Sequence, residues 1–203
     1  MIVKVLLCCV IGYLLGSVPF ALVIGKVFYH TDIRQFGSKN LGGGNAGRVL
    51  GKRAGLSVMT LDILKVTLAV FLAARIAGGV NAMVAAGLSA AVGHCFPVFA
   101  RFKGGKAVAT MYGFLFGMVT VAGYSPWLFF LPLIVFLIIL YIGKIIALAS
   151  IGSALAVTLY AHLAVGVPAL TAALIVFCVL IIWRHRANIV RIINHEENRI
   201  SWM

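Results

Sequence analysis

The sequence predicts an all-α integral membrane protein with seven transmembrane helices, the N-terminus outside and the C-terminus cytoplasmic. Three observations carry that reading. Of 203 residues, 63% are hydrophobic and only 10% are charged, whereas about a quarter of a soluble domain is charged. The apolar runs are long and do not alternate, so helices rather than a barrel satisfy the backbone in lipid. The cations, 17 Lys and Arg against 4 acids, fall almost wholly between those runs. A net charge of +13 in a soluble chain would suggest nucleic acid. In a membrane chain it directs attention to anionic headgroups or an anionic substrate, and no nucleic-acid partner is expected.

A helix needs roughly 20 apolar residues to cross the hydrocarbon. The runs lie near residues 3–25, 54–76, 79–98, 107–124, 126–143, 145–164 and 167–184. The first is longer than the apolar core of a signal peptide and lacks a small-x-small cleavage site, so it reads as a span. Turn residues separate the others: Gly123 with Pro126, Gly166 with Pro168, and "AGGVN" after the second run. Those hinges hold almost no charge, with only Arg75 nearby. The alternate connections, 26–53, 101–106, Lys144 and the tail from Arg184, hold nearly all of it. The positive-inside rule puts these basic segments in the cytoplasm. Cys8, Cys9, Cys95 and Cys178 form no C-x-x-C pair and no His/Cys cluster, so neither a redox motif nor a metal site is expected.

The first basic loop, "GSKNLGGGNAGRVLGKR", is unusual between greasy segments. Its Gly42, Gly44 and Gly47 spell G-x-G-x-x-G, but no strand precedes them, so a dinucleotide fold is rejected. Glycine backbone can approach an anion closely. Ser38, Asn40 and Asn45 can hydrogen-bond hydroxyl or phosphate oxygens, and Arg48 offers a fork matched to phosphate. A flexible basic loop touching lipid headgroups is the rival account. In the second loop, "GHCFPVFARFKGGKAVAT", Lys103 and Lys106 bracket Gly104 and Gly105 at the start of a span. Exposed backbone donors beside two cations there would suit phosphate. His94 in the same stretch reads first as a structural group. Ser150 lies six residues after Lys144, where a helix–helix contact is the ordinary role. In the tail, "RHRANIVRIINHEENRI", His185 and Asn188 would share one helical face. Asp62 and Lys65 are spaced i, i+3 inside a span and read as a structural ion pair, although ionisable groups in lipid are functional suspects by default.

These stretches resemble the bacterial acyl-phosphate:glycerol-3-phosphate acyltransferases, the PlsY type. The resemblance covers nearly the whole chain. It includes "GSVPFALVIGK", "DIRQFGSKNLGGGNAGRVLGK", "LDILK", "GHCFPVFARFKGGKAVAT" and "RHRANIVRI", in order. Lys39 stands where the family's first motif has glycine, and Gly43 and Gly44 stand for Ala-Thr. Ala147 replaces a common serine, and His195 and Glu196 depart from the family's tail, where only Glu197 carries over securely.

The resemblance implies one transmembrane acyltransferase domain over 1–203 in the bacterial inner membrane, its active site facing the cytoplasm. It implies transfer of an acyl group from acyl phosphate to the 1-hydroxyl of glycerol 3-phosphate. The products would be 1-acylglycerol 3-phosphate and inorganic phosphate, in the first acylation of phospholipid synthesis. Ser38, Arg48, Lys106, His185 and Asn188 carry over as catalytic residues. Asn40, Gly42, Asn45, Lys103, Gly104, Gly105, Ser150 and Glu197 carry over as substrate-binding residues. No cofactor or metal is implied. Membrane lipid and a soluble acyl-phosphate-producing enzyme are the expected partners beyond the two substrates. No histidine has an aspartate five positions on, which argues against the acyl-CoA enzymes with that signature. A small anion or phosphate transporter is the alternative, though polarity here is confined to the cytoplasmic ends.

Overall fold

A computed structural model describes residues 1–200. Among them every regular element is helical. The chain forms two compact units, Met1–Ala122 and the remainder from Gly123.

The first unit holds α1 (Ile2–Gly16), α2 (Phe20–Tyr29), α3 (Gly43–Leu50), α4 (Lys52–Ile76), α5 (Gly79–Cys95) and α6 (Val108–Thr120). Helix α4 is the pillar: α1, α2, α3, α5 and α6 all pack on it. Lipid supplies little hydrophobic drive between helices, so small residues that let backbones close up must supply the contact. They do. Gly12 and Gly16 of α1 sit against the backbone of Ala86 and Ala90 in α5, and Gly113 of α6 against Ile63 of α4. Thr67 fastens the last pair by donating its hydroxyl to the Gly113 carbonyl at 3.0 Å.

The segment expected to be one span over 3–25 is broken at Ser17–Pro19. Proline brings no N–H and cannot continue the ladder. The N–H groups of Leu22 and Val23 turn to the Pro19 carbonyl instead, at 2.8 and 3.0 Å.

The second unit holds α7 (Trp127–Gly143), α8 (Ile146–Tyr160), α9 (Pro168–Arg184) and α10 (Arg186–Ile193). Helix α8 packs against α7 and α9 and ends in one π-helical turn, Ala161–Val165. Helices α9 and α10 meet at a bend of 57°. The chain after α10 returns to the α7–α8 junction. There Ile200 donates its N–H to the Lys144 carbonyl at 2.8 Å and packs with Leu140 and Ala149.

All seven predicted runs are helical. Four stretches are long and apolar enough to cross a membrane: Ile2–Tyr29, Lys52–Ile76, Gly79–Ala100 and Ile146–Val165. A fifth is added if Pro168–Arg184 and its bent continuation count as one span. Val108–Thr120 and Trp127–Gly143 are shorter apolar helices. At 1.5 Å per residue, the first of these covers about 20 Å of a hydrocarbon layer about 30 Å thick.

Candidate active site

The first loop is built around an asparagine that points inward. Asn45 is 2% exposed. Its Oδ1 accepts from the Ser38 N–H at 2.8 Å, and its Nδ2 donates to the carbonyls of Ile33 and Phe36 at 3.1 and 3.3 Å. One side chain thus gathers the turn 33–38 onto α3. The expectation that Asn45 offers its amide to substrate is not what the geometry favours, since that amide is spent on backbone. Ser38 and Arg48 are exposed and Asn40 is half-buried. The side chain of Arg48, in the last turn of α3, forms no hydrogen bond or ion pair among the described residues.

The glycines of this loop divide by task. Gly42 caps α3, with its carbonyl receiving the N–H groups of Asn45 and Ala46 at 3.1 Å. Gly43 and Gly47 press on Gly55 of α4: a Cβ on Gly43 would lie 2.8 Å from the Gly55 carbonyl oxygen. Gly44 and Gly51 face open space, and Gly51 has φ +95°. Lys39 has φ +58°, a left-handed conformation that costs a side chain about 1–2 kcal/mol. That explains why glycine is the family's usual residue there. Beside the loop, Arg34 donates its backbone N–H and guanidinium to Asp32 at 2.5–3.1 Å. These hydrogen bonds hold the Asp32 carboxyl down at about 2 despite partial burial, with Lys26 adding a weaker attraction.

The second loop differs from expectation. Gly104 and Gly105 are buried, and the Gly105 N–H is committed to the His94 carbonyl at 2.9 Å. The loop is therefore a plug seated on the end of α5, not a strip of exposed donors. A Cβ on Gly104 would lie 2.8 Å from the Cys95 carbonyl oxygen and 2.5 Å from Pro97 Cδ, and one on Gly105 would overlap the His94 imidazole. Left-handed turns at Arg101, Phe102 and Ala107 bend the chain around this seat. Lys103 is exposed and Lys106 half-buried, two residues before α6 begins at Val108.

Below the seat lies a buried ionic cluster. Lys65 Nζ is 2.7 Å from Asp62 Oδ1, 2.9 Å from the Val18 carbonyl and 3.2 Å from His94 Nδ1. The structural pair read from the i, i+3 spacing is present, and His94 belongs to it. The sequence alone did not connect His94 to that pair; proximity across α4 and α5 is a tertiary fact.

In the second unit, His185 ends α9 and caps α10. It is 3% exposed, and its Nδ1 lies 2.8 Å from the Ile181 carbonyl. A carbonyl only accepts, so Nδ1 carries the hydrogen and Nε2 is the basic nitrogen of the neutral ring. Asn188, in the first turn of α10, donates Nδ2 to Glu197 Oε1 at 2.6 Å, while Glu197 Oε2 pairs with Arg191 at 2.7 Å. Glu197 thus holds Asn188 rather than presenting bare oxygens. Ser150 is buried and donates to the Ile146 carbonyl one turn back at 2.8 Å. No group of three or more His, Cys, Asp or Glu suited to a metal occurs among the described residues.

Several apolar helices of spanning length, joined by cationic loops, define a multi-pass integral membrane protein. The sequence profile of the glycerol-3-phosphate acyltransferase family matches residues 6–195. This chain belongs to that family. The glycerol-3-phosphate acyltransferase of Geobacillus kaustophilus is 46% identical over 95% of this chain and 94% of its own. That of Listeria monocytogenes is 43% identical over the full length of both. The crystal structure of PlsY (YgiH), an integral membrane glycerol 3-phosphate acyltransferase, in its glycerol 3-phosphate form superposes with a TM-score of 0.89 at 35% identity, covering 97% of this chain and 96% of that one. Its lysophosphatidic acid form gives 0.87 at 34%, covering 97% and 95%. Family membership disfavours the transporter alternative.

Proposed function

We propose that this protein transfers a fatty acyl group from acyl phosphate to the 1-hydroxyl of glycerol 3-phosphate. Lysophosphatidic acid and inorganic phosphate are the products, in the first acylation of phospholipid synthesis. The observation that carries the reading is the close likeness to PlsY, which is known in a glycerol 3-phosphate form and a lysophosphatidic acid form. Acyl phosphate as donor rests on the motif resemblance and on the chemistry of the residues present. It is a mixed anhydride with phosphate as leaving group, so no covalent enzyme nucleophile is needed. The acceptor hydroxyl oxygen attacks the acyl carbon, the bond from acyl carbon to phosphate oxygen breaks, and phosphate leaves with that electron pair. Orientation and stabilisation of the developing negative charge supply the acceleration.

In this reading Arg48, Ser38 and Lys106 contact substrate phosphates, with Asn40, Gly42 and Lys103 beside them. Asn45, Gly104 and Gly105 shape the loops. In the second unit Ser150, His185 and Asn188 act on substrate and Glu197 orients Asn188. Two acceptors suit the hydroxyl proton, a phosphate oxygen or His185 Nε2. His185→Gln removes only the second.

Arg48 gives the sharpest test. Lysine keeps its charge but loses the planar fork. Arg48→Lys is expected to lose about 2–3 kcal/mol, a fall of roughly 30- to 150-fold in kcat/KM for glycerol 3-phosphate. Arg53→Ala, equally basic in origin and exposed nearby, is expected to change little. Equal behaviour of the two variants would return Arg48 to headgroup anchoring.

The same reading includes seven crossings of the inner membrane, the N-terminus outside and the C-terminus and both glycine loops in the cytoplasm. Its support is the alternation of basic and neutral connections. In a cysteine-free background, Asn81→Cys is expected to label from outside intact cells and Gly44→Cys only after permeabilisation. The reverse pattern sinks the topology.

A further inference from the structure

The acyl-transfer reading makes no use of three ionisable side chains buried deep in the first unit: Asp62, Lys65 and His94, which are 1%, 5% and 6% exposed. Packing does not account for them. Taking charges out of water is costly, and apolar residues of similar volume commonly serve stability as well or better. Something in the geometry must require these groups.

The geometry points to a positioning device: we infer that Asp62 and Lys65 lock the His94 ring, and that His94 in turn holds the Gly104–Lys106 loop in its anion-binding shape and so sets affinity for glycerol 3-phosphate. The inference rests on the proposal that this loop binds the substrate's phosphate.

An ammonium has three hydrogens and accepts nothing. Lys65 has an ion-pair partner, Asp62 Oδ1, at 2.7 Å and two hydrogen-bond partners, the Val18 carbonyl at 2.9 Å and His94 Nδ1 at 3.2 Å. The Val18 contact exists because the chain breaks at Pro19. In an unbroken helix the Val18 carbonyl would take the Leu22 N–H, but that N–H goes to Pro19. The Phe20 ring, 5.7 Å from Nζ, closes another side. His94 Nδ1 faces both members of the pair, Lys65 Nζ at 3.2 Å and Asp62 Oδ1 at 3.6 Å, and these contacts fix the orientation of the ring.

The same histidine grips the loop twice. Its carbonyl accepts the Gly105 N–H at 2.9 Å. Its imidazole edge, at Nε2, occupies the space where any side chain on Gly105 would go. Lys106 follows directly. A ring free to rotate would unseat Gly105 and move the Lys106 ammonium, whereas a locked ring holds both. His94, Lys65 and Asp62 are therefore positioning residues; none need touch substrate.

The test is equilibrium binding of radiolabelled glycerol 3-phosphate to purified protein in detergent, with thermal unfolding and the KM for acyl phosphate measured alongside. His94→Ala and the charge-free pair Asp62→Leu/Lys65→Met are each expected to weaken binding about tenfold or more, while the KM for acyl phosphate stays within about twofold. His94→Asn, whose amide can stand in for Nδ1, is expected to recover part of the loss. Lys106→Gln tests the loop itself. If it weakens binding while His94→Ala and the charge-free pair bind like the unmodified protein, the positioning role is overturned and the phosphate loop stands. If Lys106→Gln binds like the unmodified protein, the loop reading fails and the inference falls with it. Loss of folded protein in all the cluster variants, with normal affinity in whatever remains folded, assigns the cluster to stability alone and also overturns the inference.

Discussion

The two glycine loops of the first unit look alike on paper and are built in opposite ways. The first is tied down by a buried side chain bonding to backbone: Asn45 collects the turn 33–38, and its glycines let α3 lie on α4. The second is tied down by backbone reaching inward: Gly105 bonds to His94, and its glycines exist because a histidine and a proline already fill the space a Cβ needs. Glycine enrichment therefore does not by itself mark a bare anion cradle. In one loop it marks helix contact, in the other a seat.

The largest effect expected from breaking this contrast is at Gly104. The atoms its new Cβ would meet include the Cys95 carbonyl and the Pro97 ring, which cannot swing away as a side chain tip could. Gly104→Ala is expected to cost about 3 kcal/mol, seen as a fall of roughly 6–12 °C in the thermal unfolding midpoint in detergent. A fall below a couple of degrees would mean the seat is pliable.

Asn45→Ala comes next. It strands the Ser38 N–H and takes one donor each from the Ile33 and Phe36 carbonyls, which keep the N–H groups of Phe36 and Lys39, for about 2 kcal/mol. Increased proteolysis between residues 33 and 43, with the second loop unaffected, is the expected signature. Equal loosening of both loops would show that they are one cooperative piece.

Gly44→Ala should have the smallest effect and the opposite sign. Nothing lies within 4 Å of a Cβ there, so the better helix propensity of alanine is expected to raise stability by about 0.5 kcal/mol. A loss of glycerol 3-phosphate affinity without loss of stability would show that this one glycine keeps space for substrate.

Much of this architecture was legible in the sequence, because lipid simplifies the reading: long apolar runs become helices, α5 through Gly87 and Gly93 and α7 even through Pro132. The Asp62–Lys65 pair followed from helical spacing alone. What spacing cannot show is which residues from distant segments meet. His94 joins that pair only because α4 and α5 pack side by side, and Glu197 reaches Asn188 only because the chain doubles back after α10. The break at Ser17–Pro19 was only half legible, since a proline in an apolar run ends the helix there but is carried within α7 at Pro132. The burial of Gly104 and Gly105 was not, because glycine looks the same in a seat as in a cradle.

The returning tail has a consequence for biosynthesis. Glu197 ties Asn188 and Arg191, and Ile200 ties the Lys144 carbonyl between α7 and α8. Both residues are translated after every helix they fasten. α10 and both ties lie too close to Ile200 to leave the ribosome before it is added, so the clasp closes only after synthesis has passed it. A chain cut at Asn194 would keep all of α7 to α10 and lose both ties, so the last few residues decide whether the second unit is fastened.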